Sequence, residues 1–244
     1  MSGLEGFAGV SLISQTRTLD ASAQSTSGAV TAGPFADSAS AADFGVFDEA
    51  IQPLAVAINS PYVSIAQGVA KQNSVLGTSL ISAEGEASLS LTLVPPASGL
   101  SGSADGESFF EVFFSIDEPS QFSISGMVDT QAIVTGGAAL PTLDNEVSLL
   151  RTDDNTLIFT SGVNDGNFAG DGPLAPGTYR LQAFAEASGS QVSSLLASRS
   201  VSGISEFEFR MLITGIPETS TYLSALGVLG LAAVVGRRRF SRSC

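Results

Sequence analysis

Chemistry in this chain must rest on carboxylates: 24 Asp and Glu stand against no histidine, a single lysine, Lys71, and a single cysteine, Cys244. Ser-His-Asp and Cys-His nucleophiles and nearly all zinc sites are excluded by that inventory alone. No Gly-x-Ser-x-Gly occurs, and neither a phosphate-binding Gly-Lys-Ser/Thr nor a dinucleotide-type Gly-x-Gly-x-x-Gly opens a helix. Paired carboxylates remain, the tools of glycoside hydrolysis. Glu84 with Glu86, and Glu206 with Glu208, are two residues apart, which on a strand puts each pair on one face at about 7 Å. Glu206 and Glu208 alternate with Phe207 and Phe209, so the plainer reading is the wet face of a strand whose other face is buried. With no tryptophan in the chain, a sugar platform would fall to Tyr62, Tyr179, Tyr222 or a phenylalanine. The expectation is a protein that is not an enzyme and needs no cofactor.

Asp153-Asp154-Asn155, Asn164-Asp165-Gly166-Asn167 and Asp171-Gly172 put hard oxygen ligands in neighbouring loops. Asp153, Asp154, Asp165 and Asp171 are the weak calcium candidates. Neither run has the spacing of an EF-hand, and Asn-Asp-Gly is above all a turn former because Asn and Gly tolerate positive φ. The turn reading outweighs the metal.

The elements that carry these residues read as strands. Leu89, Leu91 and Leu93 alternate with Ser88, Ser90 and Thr92. Phe110, Val112, Phe114 and Ile116 share a face, as do Phe122, Ile124 and Val128, and then Phe207, Phe209, Met211 and Ile213. Such segments are half-buried antiparallel strands. Asp117-Glu118-Pro119-Ser120-Gln121 predicts a hairpin turn between the two Phe-rich strands, and Leu174-Ala175-Pro176-Gly177-Thr178-Tyr179 a turn with the tyrosine ring at the sheet end. The fold class is all-β, an antiparallel, jelly-roll-like β-sandwich over 1–216, followed by one C-terminal transmembrane helix.

The first 80 residues are less regular. Ser14 to Ala21 alternates as a strand; Ser22 to Ala42, rich in Ser, Ala and Gly with Pro34, reads as a long loop or loose insertion. Phe47 to Ile58 reads as strand in preference to a short helix broken at Pro53. Gly68 and Gly77 read as bulges or bends within strands.

Residues 217–244 differ from all of this. Pro217-Glu218-Thr219 is followed by an uncharged apolar run, Leu223 to Gly236, then Arg237, Arg238, Arg239 and Arg242. Fourteen helical residues span about 21 Å against a hydrocarbon core of about 30 Å. Tyr222 at the interface and snorkelling arginines extend that reach. No face of the run has the polar stripe of a surface helix. The anchor comprises Tyr222, Leu223, Leu226, Val228, Leu229, Leu231, Val234 and Val235 within a helix 222–236. Residues 1–216 hold 6 cations and 23 anions, net −17, whereas the tail is +3. The arginine block therefore places the tail in the cytoplasm and the body outside, and the acidic body excludes nucleic acid as a partner.

In its order of parts the tail resembles the PEP-CTERM sorting signal, Pro-Glu-Pro before a single membrane helix and an Arg cluster, with Thr219 in place of the second proline. The resemblance implies an exported cell-envelope or extracellular-matrix protein, recognised at Pro217, Glu218 and Thr219 by an exosortase-like membrane protease and associated with exopolysaccharide. It also implies a leader. The chain opens Met1-Ser-Gly-Leu-Glu-Gly-Phe-Ala without a basic n-region or apolar h-region, so either the true start lies upstream of Met1, the favoured expectation, or the protein is tail-anchored without a leader. The alternative is an extracellular carbohydrate-binding or carbohydrate-active sandwich, which would set carboxylates across a concave cleft.

Overall fold

Because side chains alternate across an extended backbone, a segment with one apolar set becomes a strand that buries one face. The computed structural model describes residues 9–96, 98–162, 165–193 and 197–216, and within them this rule yields thirteen strands. They are β1 (Val10–Ser27), β2 (Val30–Ser40), β3 (Phe47–Ile51), β4 (Leu54–Asn59), β5 (Tyr62–Leu76), β6 (Leu80–Val94) and β7 (Leu100–Ile116). The series continues with β8 (Ser120–Thr135), β9 (Thr142–Arg151), β10 (Thr156–Thr160), β11 (Gly166–Leu174), β12 (Gly177–Val192) and β13 (Arg199–Gly215). All pairings are antiparallel. One sheet has the order β10-β9-β12-β7-β1-β2; the other runs β11-β8-β13-β6-β5-β3, with β4 collinear with β3 along the same side of β5. The two pack face to face as a β-sandwich, with the buried faces of both sheets forming the main core.

The predicted alternations hold: Phe110, Phe114, Phe122, Phe207 and Phe209 are all buried. Phe110 meets Phe209 edge-on at 5.3 Å, and Phe114 stacks on Tyr179 at 5.6 Å. The Tyr179 hydroxyl donates to the Ala175 carbonyl at 2.6 Å, as its turn predicts.

Three expectations are corrected. Asp117 to Gln121 is an arch between the sheets and not a hairpin, since β7 pairs with β1 and β12 while β8 pairs with β11 and β13. The supposed loop from Ser22 to Ala42 is the second half of β1 and all of β2, because Ala23, Ser25 and Ser27 face the core while Ser22, Gln24 and Thr26 face out. Gly68 is no bulge: register with β6 runs unbroken past it, and its lack of a side chain admits the Asp105 and Ser22 carbonyls, which would lie 2.2 and 2.5 Å from a Cβ. Phe47 to Ile58 forms strands, as preferred.

Along the strands the sandwich has two unlike halves. The half that holds the start of β1 and the end of β13 contains the aromatic core and almost every charge. In the other, the segments 21–36, 50–70, 87–104, 130–143, 187–198 and 200–205 contain no Asp, Glu, Lys or Arg. Its core is built of Ala23, Ala55, Ala66, Ala87, Leu89, Leu91 and Ala104, with buried hydroxyls between the sheets. Ser25 donates to Ser64 Oγ, and Ser64 to the Ser101 carbonyl, each at 2.7 Å. The described chain starts and ends at the charged end, where Asp117 N–H donates to the Gly9 carbonyl and Ile216 N–H to the Pro119 carbonyl, both at 3.1 Å.

Candidate functional site

Register brings together what the sequence shows as separate pairs. Glu84 lies directly opposite Glu208, and Glu86 opposite Glu206, on the outer face of the larger sheet, with opposed Cβ atoms about 5 Å apart. The row through Glu86 reads Asp129 on β8, Glu206 on β13, Glu86 on β6 and Lys71 on β5. Lys71 Nζ sits 2.7 Å from Glu86 Oε2. Partial burial, and then the carboxylates of Glu86, Asp129 and Glu84, push the Glu206 carboxyl above its ordinary range, with Lys71 opposing.

A raised carboxyl beside an ionised one is the electrostatic pattern of a general acid and its partner. Its setting is unlike a saccharide site. The depression shared by Glu84, Glu86, Glu206 and Glu208 has a volume of about 90 Å³, whereas ligand pockets run from about 300 to 1,000 Å³; the adjoining depression of about 350 Å³ is bordered by Glu84, Glu86 and Lys71 but not by Glu206.

The smaller sheet carries a matching row that the linear sequence hides. Asp144 on β9, Glu186 on β12, Glu107 on β7 and Asp20 on β1 are cross-strand neighbours. Asp20, Asp105, Glu107 and Glu186 border an open depression of about 520 Å³. Partial burial and the flanking Asp20 and Glu186 push Glu107 upward. Glu107 has Asp105 two residues before it and Asp144 has Glu146 two residues after it, the same one-face spacing as Glu84 with Glu86, while Asp20 and Glu186 have no such partner; only strand register joins the four into a row. The spacing of Asp105 with Glu107 and of Asp144 with Glu146 is the sequence signal that goes unread.

A second feature escapes the sequence reading although a signal is present. Arg17 has the same parity as Leu19 and Ala21 and therefore points inward, where it is 1 % exposed. Its Nη1 donates to the Gly45 carbonyl at 2.8 Å and to Ser74 Oγ at 3.1 Å, Nε to Gln15 Oε1 at 3.0 Å, and Nη2 to the Asp43 carbonyl. The guanidinium lies 5.6 Å from the Phe47 ring centre. Desolvation lowers its pKa, with Asp43 opposing. Arg17 therefore fastens the 41–46 connection over the charged end, a structural duty that satisfies its donors.

The calcium candidates are dispersed. Asp153 and Asp154 flank Arg151 at 3.5 and 3.9 Å in the β9–β10 turn, where Asn155 takes the left-handed conformation at φ 56°. Hydrogen bonds from Thr156, more than the nearby Arg151, hold the Asp154 carboxyl below its ordinary range. Asp165 accepts from Thr130 Oγ1 at 2.7 Å, and Asp171 lies on β11 opposite Ser123. Among the described residues no three His, Cys, Asp or Glu side chains form a group able to hold a metal ion. No helix there is long and apolar enough to cross a membrane. The sorting residues Pro217, Glu218 and Thr219, the anchor from Tyr222 to Val235 and the block Arg237, Arg238, Arg239 and Arg242 lie outside the described residues. Comparison of the chain with protein-family models, curated proteins and solved structures finds no match.

Proposed function

We propose that this chain is an exported, non-enzymatic cell-envelope or extracellular-matrix protein, a jelly-roll body carried on a C-terminal segment that sorts and anchors it. The observation that carries the proposal is the order of parts after the body: Pro217-Glu218-Thr219, an uncharged apolar run and an arginine block. The jelly-roll reading rests on strand order: β6-β13-β8-β11 face β7-β12-β9-β10, the interleaving of two Greek keys, and β1 to β5 widen both sheets beside them.

The body's layout suits such a tail. Ile216 leaves at the charged end, beside Pro119. Carboxylates there meet anionic headgroups unfavourably, so the body stands off the membrane and turns its uncharged, hydroxyl-rich half outward. That half, with Ser101, Ser103, Ser188, Ser190, Gln24 and Thr26 on one outer face, is the surface offered to exopolysaccharide. The arginines hold the C-terminus in the cytoplasm, and a net charge of −17 on residues 1–216 sets the body against nucleic acid.

Proline at 217 withholds a backbone donor, and Glu218 offers the tail's one carboxylate to an exosortase-like protease. Glu218→Gln removes that charge with little change of shape. In cells that contain the protease, immunoblotting is expected to show a larger, membrane-retained form of the variant beside a smaller released parent. Equal processing of both, or of neither, would reduce the tail to a plain anchor.

A further inference from the structure

We infer that β4 is a dimerisation edge that pairs antiparallel with β4 of a second copy of this chain. Sheet edges invite strand addition, and soluble proteins blunt them with charges, prolines, bulges or short strands. Among the described residues the other edges are blunted in these ways. β2 carries Pro34 and Asp37 and has a register break between Ala23 and Ser25 of its partner. β3 carries Asp48 and Glu49, β11 carries Asp171 and Pro173, and β10 has five residues and a break between Leu157 and Phe159. β4 has neither charge nor proline, and its register with β5 is unbroken from Leu54 to Asn59. It pairs only with β5 among the described strands.

Its side chains are also turned the unusual way. Ala55 and Ala57 are fully buried, while Leu54, Val56 and Ile58 are 50, 41 and 58 % exposed. On the adjacent strand Ile65 and Val63 sit beside Val56 and Ile58, which extends the apolar strip.

Two observations select a second copy as the occupant. The first is charge. A body at −17 repels itself wherever its carboxylates face out, but β4 lies inside the uncharged stretch 50–70, so two copies meet there without repulsion. The second is self-complementarity. Leu54-Ala55-Val56-Ala57-Ile58 reads almost the same in both directions, so a two-fold axis at Val56 sets Leu54 against Ile58 of the second copy and Val56 against itself. An isologous interface needs this property. The joined edges make one continuous sheet from the two larger sheets.

The test uses the full chain in detergent micelles, with mass by light scattering across protein concentration. The parent is expected to approach twice the monomer mass, and Val56→Lys to raise the dissociation constant at least about tenfold by opposing two ammonium groups across the axis. Val56→Thr, still β-branched and uncharged, is expected to keep the dimer. In a Cys244→Ser background, Val56→Cys is expected to oxidise to a covalent dimer while Val75→Cys, exposed on the charged half, stays monomeric. Circular dichroism checks that each variant is folded. A monomeric parent, association indifferent to Val56→Lys, or cross-linking of the Val75→Cys variant as fast as that of Val56→Cys would overturn the proposal, the last two by placing association on the tail or another face.

Discussion

The two halves of the sandwich solve the same packing problem with different materials. At the end where the described chain starts and finishes, Phe110, Phe114, Phe122, Phe207 and Phe209 fill the space between sheets, and carboxylates cover the outside. In the far half the sheets close on alanine, leucine, glycine and serine. There Gly68 on β5, and at the border with the charged end Gly106 on β7, let facing backbones approach, since a Cβ on Gly106 would lie 2.2 Å from the Val69 carbonyl oxygen. Burying an aromatic ring contributes far more than burying a methyl group. Stability is therefore concentrated at the charged end, and the far half is held by hydrogen bonding and close approach. This division leaves the far half with no carboxylate and, in the segments around it, Arg199 as its charge, which suits the display proposed for that surface.

Truncating the aromatic end should have the largest effect. Phe110→Ala is expected to cost about 3–5 kcal/mol and to lower the melting temperature by roughly 10 °C; a loss as small as that of Leu89→Val would break the distinction between the halves. Next comes crowding at the border of the thin half. Gly106→Ala is expected to cost about 1–3 kcal/mol, because the obstacles are the Val69 and Ser88 carbonyls and not a side chain that can swing away. A neutral result in thermal melting would mean that the sheets are not fixed there.

Surface changes are smaller and sharpen the comparison within the charged end. The rows Asp144-Glu186-Glu107-Asp20 and Asp129-Glu206-Glu86-Lys71 differ in kind only at the last position. Asp20→Lys makes the first row like the second and should stabilise by about 0.2–1 kcal/mol at low salt. Lys71→Gln should destabilise by a similar amount, as both positions are substantially open to solvent. Both effects should shrink in about 1 M salt.

The pH dependence follows from Glu107 and Glu206, whose carboxyls are raised in the folded state by burial and like charge. Each binds a proton more tightly folded than unfolded, so their unfavourable contribution at neutral pH fades as pH falls through the raised values toward 4.5. Denaturant midpoints should rise from about pH 7 to about pH 5. Glu107→Gln should raise the midpoint at neutral pH and flatten the slope; a midpoint that falls steadily over this window would contradict the electrostatic reading.

Legibility in the sequence follows the same division. Strands with Phe, Val and Ile on one face and Ser or Glu on the other are readable because burial sorts such residues strongly. In Ala21 to Ser27 the inward set is Ala, Ala, Ser and Ser and the outward set Ser, Gln and Thr, so the alternation exists but has almost no hydrophobic contrast, and the segment looks like a loop. The arch at Asp117 to Gln121 reads as a hairpin because Pro and Ser mark a reversal without saying which sheet receives the next strand. Carboxylate pairs within one strand are visible as Glu84 with Glu86 and Glu206 with Glu208. Rows across strands need register, which is set by contacts far apart in the chain. Arg17 is readable in principle, as a charge at an inward position of an otherwise regular alternation.

The central claim, a body held outside the membrane by a tail whose end is cytoplasmic, is tested most directly by labelling with a membrane-impermeant maleimide. The cells make the Ile133→Cys variant, with Glu218→Gln added to keep the tail attached. In intact spheroplasts the thiol introduced at position 133, on the uncharged half, should react at once. Cys244 should react only after permeabilisation, and proteolysis between the two sites tells them apart. Prompt labelling of Cys244 in intact spheroplasts, or protection of both thiols, would contradict the account.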